Sequence, residues 1–176
     1  ARGRRMLSRW ILPVLLTLAA QRLLGLPGLP AWAADPLLPA VWIVAAALRS
    51  RERPWPLAAL LIGLAWDLVL EPVVGPGGIA WSAAALALNG LAGVVADRSP
   101  KAWAGFGVTA AAVVTLVHHL AVLPLGLGSS LSAAQVLRTA LFTGAWCGLV
   151  GLVLAVDVPQ RWRTLSAYSP ALRARA

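Results

Sequence analysis

Thirteen of the chain's fifteen Lys and Arg residues lie in four short stretches: Arg2 to Arg9, Arg49 to Arg53, Arg98 to Lys101 and Arg161 to Arg175. The intervals between them are long, apolar and almost free of charge. Positive charge collects on the cytoplasmic side of membrane proteins. Each interval has the length for one crossing out and one crossing back. Four basic clusters on one face, joined by three apolar excursions, predict six transmembrane helices with both termini cytoplasmic. The expected plan is a basic N-terminal tail over residues 1–9, a six-span domain over 10–156 and a basic C-terminal tail over 157–176.

Only 12% of the residues are charged and 60% are hydrophobic, against about 25% charged in soluble domains. The net charge of +9 suits anionic lipid at the membrane surface. No nucleic-acid motif accompanies the cations, so nucleic acid is not an expected partner. Cys147 is the single cysteine, which excludes a disulfide framework and a cysteine metal cluster. The first apolar stretch follows basic residues as a signal peptide would, but has no small-residue cleavage site after it and is followed by more spans. A retained anchor is expected.

The spans are expected at Trp10 to Leu26, Trp32 to Leu48, Trp55 to Val74, Ile79 to Ala96, Trp103 to Leu125 and Val136 to Val156. At about 1.5 Å per residue each has the length to cross about 30 Å of hydrocarbon. Gly75-Pro76-Gly77-Gly78 and the Gly126 to Ser132 stretch read as outer turns, and Ser99-Pro100 as an inner one. Trp10, Trp55, Trp103 and Trp162 fall at inner boundaries and Trp32 and Trp81 at outer ones, where indoles are enriched. Trp42, Trp66 and Trp146 are expected between helices. Small residues mark the fourth span, including Gly90 and Gly93, and the sixth, where Gly144 and Gly148 form a small-xxx-small pair. Packing within the bundle and dimerisation through that face both remain open.

An ionisable group at the centre of a span costs roughly 2.5–3.5 kcal/mol, so each needs a reason. Gln21, Arg22, Asp67, Glu71, His118, His119 and Arg138 all map to the outer halves of their spans. Asp67 and Glu71 are four apart on one helical face near a C-terminus, where like charges repel and the helix dipole disfavours anions. A cation is therefore expected beside Asp67, with Arg138 favoured over Arg22. The cluster of Asp67, Glu71, Arg138, Arg22 and His118 reads either as an ion-paired packing device or as a site for a ligand or partner. His118 and His119 project about 100° apart, so they do not chelate one metal as an i, i+4 pair would. One is expected at the polar cluster and the other at the interface. Asn89 is expected to hydrogen-bond across helices. No esterase, zinc-protease or phosphate-loop motif is present. No enzyme activity, metal or cofactor is expected.

The segment Gly63-Leu64-Ala65-Trp66-Asp67-Leu68, with Pro72, Gly75 and the small-residue helix from Ala80 to Gly93, resembles the bacterial rod shape-determining protein MreD family. That family carries a Gly-x-x-x-Asp-Leu pattern, a glycine about eight residues after the aspartate and a following apolar helix. Asp35-Pro36 is similar to the family's polar-Pro approach to its second helix. The motif covers about thirty residues; elsewhere the likeness is one of length and hydropathy. It implies an all-α, six-helix bundle in the bacterial inner membrane, a scaffold subunit of the cell-elongation complex that makes peptidoglycan. Such a subunit would bind the transmembrane helix of MreC directly and act with MreB, RodA and a class-B penicillin-binding protein. The family is similar in fold to substrate-binding subunits of energy-coupling-factor vitamin transporters, so a small-molecule carrier is the alternative. A carrier needs a closed pocket with polar and aromatic lining. A scaffold needs an open face for a partner helix, and a chain with one Tyr and two Phe favours the scaffold.

Overall fold

The computed structural model describes residues 2–49, 55–95, 99–126 and 130–155. They form α1 (Arg2–Leu24), α2 (Ala40–Arg49), α3 (Trp55–Leu70), α4 (Pro76–Val94), α5 (Pro100–Val122) and α6 (Ala133–Ala155), with 3-10 turns at Ala31–Ala34 and Leu123–Leu125. No strand occurs among the described residues. Arg51, Arg53, Arg98, the basic tail at 157–176 and with it Trp162 lie outside them.

The helices α4, α5 and α6 are long and apolar enough to cross a membrane. This fits an integral membrane protein. The apolar parts of α1 and α3, Leu12–Leu24 and Pro56–Leu70, are shorter, and α2 has ten residues. The second expected span, Trp32 to Leu48, is therefore not one continuous helix. Pro36 and Pro39 are the reason: proline has no N–H to donate and disfavours helix in the residue before it. The fourth helix starts three residues earlier than expected, because Pro76, Gly77 and Gly78 are already helical. Proline tolerates the first helical position, where its missing N–H costs nothing.

The helices α3 to α6 pack each against the next, and α2 lies across α4, α5 and α6. The core is built from α2, α4 and α5, around Val44, Trp81, Leu88 and Phe106. The seam between α5 and α6 is a close one. A methyl group placed on Gly107 would lie 2.8 Å from Cys147 Cβ, and one on Gly151 would lie 2.6 Å from the Trp103 ring. Gly144 and Gly148 meet Val108 and Ala104 across the same seam. The small-xxx-small pair thus packs α6 against α5 within the bundle. Late residues of α6 face early residues of α5, so the pair is antiparallel. Trp103 is buried in this seam, where a boundary position was expected.

The same substitution has opposite consequences on the two sides of α5. Gly107→Ala is expected to lower stability by about 1–3 kcal/mol through overpacking. Gly105→Ala, which meets nothing within 4 Å, is expected to be neutral or stabilising because alanine favours helix by roughly 1 kcal/mol over glycine. Thermal unfolding of the purified variants in detergent checks both.

Candidate functional site

Asp67 is fully buried near the end of α3, and its carboxylate is turned to the first turn of α4. Oδ2 accepts from the Gly75 N–H at 2.7 Å, and the Gly77 N–H donates to both carboxylate oxygens at 3.0 Å. The initial amides of a helix have no partner within it and carry its positive end. Gly75 has no side chain to cap them, and Asp67 performs that task from the preceding helix. The turn holds Gly75 at φ +129°, a backbone state open to glycine and hardly to other residues. Gly63 and Gly77 make the approach possible. A methyl group on Gly63 would lie 2.7 Å from the Gly77 carbonyl carbon, and one on Gly77 would lie 2.8 Å from the Asp67 carboxyl carbon. Gly63, Asp67, Gly75 and Gly77 are thus one device joining α3 to α4. Leu68 faces outward and Pro72 lies in the turn.

This corrects the expectation of an arginine beside Asp67. The positive end of α4 supplies what a cation was expected to supply. Arg138 instead pairs with Asp35: Nε lies 2.6 Å from Oδ2, and a terminal guanidinium nitrogen donates to Oδ1 at 3.1 Å. Arg22 faces outward on α1.

Sequence reading missed the brackets around Pro36 and Pro39. A non-helical stretch leaves backbone groups without local partners, and in an apolar bundle they must find others. Gln21 donates to Ala34 O and accepts from the Leu38 N–H. Thr143 Oγ1 accepts from the Leu37 N–H, and Trp146 Nε1 donates to Leu38 O. Trp42 donates to Thr17 Oγ1 at 3.0 Å. The signal was the spacing of the two prolines, which left four groups needing side-chain partners.

A half-open cleft of about 420 Å³ lies where α3 and α5 end and α6 begins. Glu71, His118, His119, Trp66, Gln135 and Thr139 are among its lining residues. Both histidines reach it, where only one was expected, because the cleft is wide enough to meet two faces of the last turns of α5. Trp81 is buried against Trp66, ring centroids 5.6 Å apart, instead of sitting at the interface. Among the described residues no group of three or more His, Cys, Asp or Glu is placed to hold a metal.

Among the described residues, Gly90 and Gly93 take no part in bundle packing: a methyl group on either meets nothing within 4 Å. They lie with Ile79, Leu86 and Asn89 on an outward face of α4. Comparison with protein-family models, with curated proteins and with solved structures finds no match to this chain.

Asp67→Ala would leave the buried Gly77 amide unpaired, at roughly 1–3 kcal/mol, and the part-buried Gly75 amide at a smaller cost. Asp67→Asn keeps an acceptor oxygen but loses the charge, and is expected to be the milder change. Thermal unfolding of both variants checks this order. Arg138→Ala is expected to cost less than either, because that guanidinium is half exposed.

Proposed function

We propose that the chain is a non-enzymatic scaffold of a bacterial cytoplasmic membrane, holding the transmembrane helix of another protein against α4. The observation that carries this reading is the outward face of α4, where Gly90 and Gly93 have no neighbour within 4 Å among the described residues and Asn89 is exposed. Helix association in lipid rests on close packing over small residues and on polar contacts between helices. A glycine pair beside an outward asparagine supplies both. The anchoring of α4 by Asp67 supports the reading too, since it gives that face a fixed position.

The motif that resembles the MreD family is built from the residues that form this anchor. That likeness proposes MreC as the partner held directly, and MreB, RodA and a class-B penicillin-binding protein as members of the same complex. In this reading α1, α2 and α3, with their irregular flanks, complete six crossings, and both termini are cytoplasmic beside anionic lipid. The cleft near Glu71 favours a second reading, a vitamin carrier of the energy-coupling-factor type. A carrier needs a closed pocket, and this cleft is half open, which weighs for the scaffold.

Gly90→Leu and Gly93→Leu are expected to abolish co-purification of tagged MreC from the same bacterium, with the melting temperature unchanged. Recovery equal to wild type, or a vitamin-sized ligand held at high affinity with no MreC recovered, contradicts the scaffold. The topology has its own test. Reporter fusions at Gly28, Gly77 and Ser129 are expected to read periplasmic, and those at Arg51 and Pro100 cytoplasmic. A cytoplasmic signal at Gly77 overturns the placing of α3 and α4.

A further inference from the structure

The carboxylates near the cleft are unequally matched. Asp35 has Arg138, and Asp67 has the amides of Gly75 and Gly77. Glu71 lines the cleft, and its side chain has no hydrogen bond or ion pair among the described residues. Arg22, the basic residue in α1's last turn, is outward-facing and does not line the cleft. The C-terminal ends of α3 and α5 point to the same region, and such ends carry partial negative charge. The positive end of α4 is already covered by Asp67. The beginning of α6 offsets one of the two negative ends, and Glu71 remains unbalanced.

The rest of the lining offers acceptors. Thr115, His118, His119, Gln135 and Thr139 line the cleft, and no side chain among them bonds another described residue. A neutral imidazole has one acceptor nitrogen, a hydroxyl has acceptor lone pairs and an amide has a carbonyl oxygen. Trp66 lines the same space, and an indole is the aromatic surface that attracts a cation most strongly. An unpaired carboxylate, several free acceptors and an indole around one volume match a donor-rich positive group. An anion would meet Glu71, and among the described residues no Lys or Arg lines the cleft to hold it.

We infer that this cleft binds a cationic nitrogen group, an ammonium or a guanidinium, with Glu71 as its counter-ion. The group comes either from a free small amine or from a Lys or Arg side chain of a polypeptide on that side of the bundle. The inference does not rest on the scaffold reading. It uses the cleft and the buried side of α4, not the face that carries Gly90 and Gly93.

The test is titration of the full-length protein in lipid nanodiscs, by calorimetry and tryptophan fluorescence. The probes are agmatine, a Gly-Arg repeat peptide, and glutarate as the anionic control. Saturable binding of agmatine assigns free amines, and binding of the peptide alone assigns a polypeptide's basic side chains. In either case Glu71→Gln is expected to weaken binding about tenfold or more, the loss of one charge-assisted hydrogen bond. Arg22→Ala is expected to bind as wild type does. Trp66 and Trp81 both line the cleft, so the fluorescence change on binding is expected to be reduced in Trp66→Phe, which keeps the test decisive if Glu71→Gln does not fold. The inference is overturned if neither cation binds, if glutarate binds as well as they do, if folded Glu71→Gln binds with wild-type affinity, or if binding produces no change that depends on Trp66.

Discussion

The carboxylate of Asp67 lies between two helix ends of opposite polarity. It projects from the last turns of α3, where a negative charge is disfavoured, into the first turn of α4, where it is welcome. Its acceptance of the Gly75 and Gly77 amides satisfies groups that lipid has no means of satisfying. It also fixes where α4 begins and how closely it lies against α3. Gly63 and Gly77 are required by that closeness, and Gly75 by the backbone sign of the turn. Later features of α4 follow from that seat: Trp81 packs inward against Trp66 with its ring tilted, and Gly90 and Gly93 are carried to the outside.

A second constraint acts at the other hairpin. Pro36 and Pro39 interrupt what would otherwise be a continuous helix, and Gln21, Thr143 and Trp146 reach in from α1 and α6 to partner the exposed backbone. These three side chains tie α1, the α2 segment and α6 together by polar contacts where apolar packing alone has little directional preference. The seam of Gly107, Gly144, Gly148 and Gly151 supplies close contact between α5 and α6. Small residues therefore play two roles in this chain. On α6, and at Gly77 on α4, they bring neighbours together inside the bundle, and at Gly90 and Gly93 they leave a face with no neighbour among the described residues.

The helical class and most helix positions were legible because apolar runs and basic clusters follow from the requirements of lipid, which act on composition. The breaks were less legible. Residues 32–48 have the length and hydropathy of a span, and only the absent N–H groups of Pro36 and Pro39 separate them from one. Asp67 was rightly singled out as needing a partner, but its partner is backbone, and backbone leaves no letter in the sequence. Arg138 was matched to the wrong carboxylate for a related reason. The contact with Asp35 joins residues 103 positions apart, and only the folded arrangement sets that distance. The role of Gly90 and Gly93 was ambiguous because glycine serves inner and outer faces alike.

The claim that α4, seated by Asp67, presents its outward face to a partner helix is tested most directly by photo-crosslinking in native membranes. A benzophenone side chain is placed at Leu86 or Gly90 on α4, and at Leu149 or Val153 on α6 for comparison. All of these except Gly90 are large apolar residues exposed on the bundle surface, and Gly90 has open space around it. The account predicts a discrete adduct with MreC from the α4 positions, lost when Asp67→Ala is added, and lipid adducts alone from α6. Identical patterns from both helices, or an α4 adduct indifferent to Asp67, would contradict it.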